Sequence, residues 1–308
     1  MNKKRQIAIF SALFLCLALF AVLLMGCSKN TDNEDETKKP KSSTDQVAFD
    51  STNTEKSDVE TTENDEEMTF EVESGVDILH EGFGENKDYV VVIDAGHQRQ
   101  GMKEQEPMGP GSDVMKDKVT SGTQGSFTGI PEYELTLAVA LQLRDELISR
   151  GYTVVMVRET HDVQISNIQR AEIANKYAPT EENGYKAAIN VRIHANGFTD
   201  PAANGALMCC PTKDNPYKIG EMFEECERLA NAIIDPYCEE TGMRKRPTHI
   251  QYGDNMTGTN WCEIPTTILE MGFMTNEADD KLMQTSDFRK NAAKGIADGI
   301  DNFFEPAK

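Results

Sequence analysis

Two histidines and a glutamate stand where short apolar runs give way to polar residues: Asp94-Ala95-Gly96-His97, His194-Ala195-Asn196-Gly197 and Glu270-Met271-Gly272-Phe273. Imidazole nitrogens and a carboxylate oxygen are donors that a catalytic zinc ion takes, and two His with one Glu leave a fourth position open for water. Each residue also has an ordinary use. A histidine at a strand end commonly serves a turn or the surface, and an acid before a tight turn commonly caps backbone amides. The chain has only five histidines, and two of them occupy equivalent places. Spacing alone leaves the metal site and the ordinary reading side by side.

The elements that must position these residues follow an α/β alternation. Tyr89-Val90-Val91-Val92-Ile93 is wholly apolar and β-branched, as a central strand buried on both faces must be. Residues 131–150 predict a helix, with Pro131 at its start and Gly151 just past its end. Residues 153–157, 187–193, 205–210 and 266–269 read as further strands. Residues 165–177 and 216–241 read as helices, and a last helical stretch runs to Phe304. The expected fold is a single three-layer α/β domain with a twisted, mostly parallel sheet flanked by helices. In such a sheet the carboxyl ends of the strands share one edge, where open α/β folds place their sites. Residues 98–130 are rich in Gly, Pro, Ser and Lys and read as one long loop, a length usually kept for function.

Six pieces occur in order along about 200 residues: VVIDAGH, GIPEYELTLAVAL, YTVVMVRETHD, QRAEIAN, RIHANG and PTTILEMGFMTN. Together, over roughly residues 88–304, they resemble the zinc-dependent N-acetylmuramoyl-L-alanine amidases of the amidase 3 type. The resemblance implies one zinc ion held by His97, Glu132 and His194, with Glu270 as the catalytic acid and base. It implies peptidoglycan as substrate, cut at the amide between N-acetylmuramic acid and the first L-alanine of the stem peptide. Glu132 comes from the resemblance alone, because a helical wheel puts Glu134 nearer the apolar face of Leu137, Leu141 and Ile148. Gln98 stands where the family often has Gly, and Arg192 where it often has a small residue; neither change removes a ligand. Arg192 falls on the same strand face as His194, to pair with an acid or to meet a substrate anion. Asn196 is a second candidate substrate contact. Arg158, Asp162 and Arg170 also match family positions and are expected to form an ion-pair network. His161 reads as an exposed residue beside Asp162, with a spare metal ligand as the alternative, and Asn196 and Asn276 suit turns or helix caps. The segment Met256 to Trp261 either borders the substrate groove or is ordinary loop packing. Alternative readings are a zinc peptidase acting on free wall peptides and an inactive wall-binding lipoprotein; retention of all four site residues speaks against the latter.

The chain start carries Lys3-Lys4-Arg5, an apolar run from Ile7 to Met25, then Gly26-Cys27. That order describes a secretory signal over residues 1–26, with a plain transmembrane anchor as the alternative. Leu24-Met25-Gly26-Cys27 resembles the bacterial lipobox, which makes Cys27 the lipidation site and the membrane a partner through that lipid. The protein is then expected outside the cytoplasm, anchored to the outer face of the cell membrane. Between Ser28 and Val76 there are 15 acids against 5 bases and almost no apolar residue, so residues 27–86 are expected to be a lipidated, disordered tether. The catalytic domain is expected over 87–308. The net charge of −21 excludes a nucleic-acid partner, since phosphate backbones are bound by cationic surfaces. Besides Cys16 and Cys27 there are five cysteines, 209, 210, 226, 238 and 262, without a CxxC pair. They read as small buried hydrophobes.

Overall fold

A strand that is apolar at every position needs cover on both faces, and β2 (Tyr89–Ala95), buried at all but its first residue, has it. Val91 and Ile93 pack on one face against α1 (Glu132–Ser149), α3 (Phe223–Thr241) and α6 (Ser286–Phe304). Val90 and Val92 pack on the other, with Ile173 and Ala174 of α2 (Asn167–Asn175). The result is the three-layer α/β arrangement expected. The computed structural model describes residues 74–84 and 86–305. The leader, Cys27 and the acidic segment through residue 73 lie outside the described residues.

The main sheet has the order β1-β5-β2-β6-β9-β7-β8. β5 (Thr153–Arg158), β2, β6 (Ala187–Asn196) and β9 (Thr266–Phe273) run parallel. β1 (Val76–His80) pairs antiparallel with β5 at one edge. At the other, β7 (Ala206–Cys210) runs antiparallel to β9 and carries β8 (Lys245–Tyr252) parallel to itself. The β7–β8 pairing skips between Ala206↔Lys245 and Met208↔Ile250, so residues 246–249 bulge out of the ladder. Short helices α4 (Thr257–Asn260) and α5 (Glu277–Met283) flank β9.

Four expectations need correction. β1 lies inside the stretch expected to be tether, so the folded unit begins before residue 87. Its Val76 is buried and Asp77 binds Lys176 and Tyr177, contacts that a sequence pattern dominated by neighbouring acids hides. The expected loop 98–130 contains a two-stranded hairpin, β3 (Met102–Pro107) with β4 (Met115–Val119). The region 216–241 opens with a 3-10 turn, Lys218–Met222, before α3. Finally, β6 and β9 run past Ile193 and Leu269, because the ladder continues through His194↔Glu270 to Asn196↔Phe273. His194 and Glu270 are therefore neighbours within the sheet rather than residues beyond it.

Candidate metal centre

His97 follows the end of β2 with φ at +60°, a left-handed conformation that a side chain enters at a cost of roughly 1–2 kcal/mol. Two bonds hold it there. Its carbonyl accepts from Arg170 Nη2 at 2.8 Å, and its ring Nδ1–H donates to Thr120 O at 2.9 Å. With the proton on Nδ1, the Nε2 lone pair is left for the site, the usual way an outer carbonyl fixes a ligand tautomer.

Glu132 opens α1, where the unpaired amides of the first turn favour an anion. Its placement is set by the chain before the helix. Glu132 N–H donates to Thr123 O, Thr123 N–H donates back to Glu132 Oε2 at 2.8 Å, and Gln124 bridges Pro131. Ala195 N–H donates to Oε1 at 3.0 Å. Burial pushes the Glu132 carboxyl up, but His194 and His97 outweigh it and hold it well below the usual range. Glu134, the alternative on helical periodicity, faces away and accepts from Tyr133 Oη. The turn before the helix, not the helix period, selects between the two acids.

His194 completes the group. Its Nδ1 is 3.1 Å from His97 Nε2 and 3.2 Å from Glu132 Oε1, and His97 Nε2 is 3.2 Å from the same oxygen. Three donor atoms thus form a nearly equilateral triangle. Tetrahedral bonds of about 2.0 Å to nitrogen and oxygen give edges of about 3.3 Å, so the triangle fits one zinc-sized ion with a fourth position free. Burial drops the His194 pKa to about 4, which keeps the ring neutral and able to bind a cation. The cradle admits nothing larger than hydrogen at two points. A Cβ on Gly96 would sit 2.5 Å from the His194 ring, and one on Gly122 (φ +83°) 2.7 Å from Glu132 Oε2 and 2.8 Å from the His97 ring. Among the described residues this is where His, Cys, Asp and Glu side chains gather tightly enough to hold a metal.

Glu270 stands beside His194 on β9. Its Oε2 is buried with no hydrogen-bond partner. Burial and the Glu132 charge raise its pKa to about 8 against the pull of Arg192. That is an acid able to gain and lose a proton near neutral pH, without a bond to tie it down.

Beneath these residues lies a rigid arginine layer. Asp94, fully buried, binds Arg170 Nη1 at 2.6 Å and Arg192 Nε at 2.8 Å. Arg158 donates to the carbonyls of Ala95, Gly96, Tyr133 and Thr160. The expected ion-pair network of Arg158, Asp162 and Arg170 is therefore different. Asp94 is its acid, Arg158 serves carbonyls, and Asp162 is an exposed partner of Arg99. Arg192 pairs with an acid as one of its two readings held, and its other nitrogens also line the groove beside Asn167. Asp94 spends both oxygens on arginines rather than on capping a turn. His161 packs edge-on to Tyr133 and lies outside the metal group. Asn276 caps α5, and Asn196 faces the groove on both sides of the histidines. Sequence reasoning missed the Thr120–Thr123 turn, whose small residues Ser121-Gly122 are its one visible signal.

A groove of about 1040 Å³ runs from the triad between the β3–β4 hairpin and β8, and a shallower one of about 400 Å³ lies on the other side. Phe198, 57% exposed, stands on the rim of both. The segment Met256–Gly258 lines the larger groove.

Comparison with known proteins matches residues 91–302 to the amidase 3 family, described as N-acetylmuramoyl-L-alanine amidase. An N-acetylmuramoyl-L-alanine amidase of Neisseria meningitidis is 24% identical over 210 residues, covering 57% of this chain and 48% of that protein. One of Mycobacterium tuberculosis is 25% identical over 229 residues, covering 70% of this chain and 86% of that protein. The chain thus spans about half the length of the Neisseria relative. Among solved structures, an N-acetylmuramyl-L-alanine amidase of Mycobacterium smegmatis superposes with a TM-score of 0.61 at 24% identity, over 71% of this chain and 98% of that one. Its Mycobacterium abscessus counterpart, in the apo form, gives 0.60 at 25% identity, over 70% of this chain and 99% of that one.

Proposed function

The chain belongs to the amidase 3 family of N-acetylmuramoyl-L-alanine amidases, and from that premise we propose that it is a zinc-dependent peptidoglycan hydrolase, exported and held to the membrane by a lipid on Cys27. The observation that carries the reading is the triangle of His97, Glu132 and His194 with the protonatable Glu270 on the adjoining strand. The bond cut is the amide between N-acetylmuramic acid and L-alanine. Residues 1–26 act as the signal and the acidic segment after Cys27 as the tether, with the catalytic unit beginning at about β1. Among the described residues no helix is long and apolar enough to cross a membrane.

His97, Glu132 and His194 would hold the zinc ion, which when bound polarises the scissile carbonyl and acidifies the attacking water. The rest of the chemistry belongs to the chain. Glu270, its buried Oε2 free of any hydrogen bond, would accept the proton of the attacking water in its ionised form. It then delivers that proton to the alanine nitrogen as the amide carbon–nitrogen bond breaks. Asp94 and its arginines fix β2, β6 and α2 against one another, so the histidines stay aimed without a ligand to organise them.

Digestion of purified peptidoglycan by the zinc-loaded chain should release new N-terminal L-alanine without new reducing sugar ends. Glu270→Gln should cut the rate by about 10²–10⁴-fold, the usual range for a general acid–base group, while metal analysis still finds one zinc per chain. Reducing ends in place of free alanine, or single amino acids released from sugar-free peptides, would overturn the bond assignment.

A further inference from the structure

In a chain of net charge −21, the larger groove contains an arginine that no acid among the described residues neutralises. Arg246 lies on the bulged part of β8 and lines the groove with Glu270 and Phe273. Its guanidinium lies 5.0 Å from the centre of the Phe273 ring, and Nη1 donates to Asn204 O at 3.1 Å. Those two contacts anchor one side of the guanidinium. Nε and Nη2 have no acceptor among the described residues, so one edge of the fork remains open. Lys116 lines the same groove from β4; it donates to Asn255 O and has no acid partner among the described residues. The remaining groove arginine, Arg192, is occupied by Asp94. The shallower groove behind Phe198 has no Lys or Arg in its lining.

This asymmetry bears on which way the substrate lies, and it rests on the activity proposed above. In an N-acetylmuramoyl peptide the lactyl carboxyl is consumed in the scissile amide, so the sugar side is neutral and free carboxylates sit on the peptide side. An arginine fork placed over an aromatic ring and anchored through one nitrogen can recognise a carboxylate with two parallel N–H bonds. We propose that Arg246 is a specificity-determining residue, binding a free carboxylate of the stem peptide in the larger groove with Lys116 adding charge from the opposite wall. The neutral sugar then lies toward Phe198 and the shallower groove. Stems whose carboxylates are converted to carboxamides lose the contact.

The test compares two synthetic N-acetylmuramoyl peptides that differ only in carrying free carboxylates or carboxamides along the peptide. With the zinc-loaded, full-length chain, kcat/KM should favour the carboxylate form by about tenfold or more, the value of one charge-assisted pair. Arg246→Met should bring the two substrates to parity by lowering only the carboxylate rate, and Arg246→Lys should restore part of the preference. Arg244→Met, which removes the neighbouring exposed cation bonded to Asn204 Oδ1, should leave the ratio unchanged. Equal losses on both substrates, or a ratio that Arg246→Met does not move, overturn the assignment. Cleavage of neither substrate by the unaltered chain would instead overturn the amidase reading.

Discussion

At the scale of single residues the site rests on Asp94, buried beneath the candidate metal group. Two guanidiniums from different elements converge on its one carboxylate, and all three groups are buried. Removing one partner of a buried ion network leaves unpaired charge and costs about 3–5 kcal/mol. Asp94→Asn is therefore expected to lower the unfolding free energy read from urea titration by an amount of that size; a loss under about 1 kcal/mol would show that the arginines find other acceptors. Burial pushes the Asp94 carboxyl up, but Arg170 and Arg192 outweigh it and hold it well below its ordinary 3.8. The sign follows from that direction. The contribution is fully present above the unfolded value and fades as pH falls from about 3.8 through the lower folded value. Acid unfolding curves should accordingly be less steep below pH 4 in Asp94→Asn than in the parent. Two of the three candidate metal-site residues were legible from strand-end positions. Glu132 was not, because a hydrogen-bonded turn through Thr123 places it and no periodic pattern records such a turn.

Elements were legible in proportion to how apolar they are. β2, β5 and β6 are buried almost throughout, and nothing but a central strand fits such runs. β3, β4 and β8 read Met-Lys-Glu-Gln-Glu-Pro, Met-Lys-Asp-Lys-Val and Lys-Arg-Pro-Thr-His-Ile-Gln-Tyr, and no hydrophobic period marks them. Backbone pairing and the groove they frame, rather than core burial, account for these strands. Helix α6 shows the opposite limit, where packing is so close that side chains are excluded. A Cβ on Gly299 would meet Ile233 Cα at 2.5 Å and Ala232 O at 2.7 Å, both backbone atoms of α3. Gly299→Ala is expected to push the two helices apart and cost about 1–3 kcal/mol, even though Ala is the better helix former. Thermal denaturation checks this, and an unchanged or raised midpoint would mean that α6 slides at no cost.

For the molecule as a whole, stability should depend on the metal and not on redox state. Zinc in thousandfold excess over its Kd adds about 4 kcal/mol, which for a domain of this size is a shift of about 10 °C. Chelation should lower the midpoint by that amount, and zinc should restore it. The five described cysteines are all free. Cys210, Cys226 and Cys262 are buried, and burial pushes the Cys210 and Cys226 thiols up to about 12. Reductant should therefore leave the midpoint unchanged, and alkylating reagents should react slowly until the chain unfolds. The bulge in β8 has a consequence for crowding on a surface. A sheet is open at two edges, and an open edge can template another copy of the same strand. Here one edge, β1, is five residues long. The other begins Lys245-Arg246-Pro247 and leaves the ladder over residues 246–249, so its amides and carbonyls do not line up for a neighbour. Copies packed side by side would find only a short edge and a bulged one on the described main sheet, and the distortion that places Arg246 in the groove lining would also disfavour stacking of that sheet through β8.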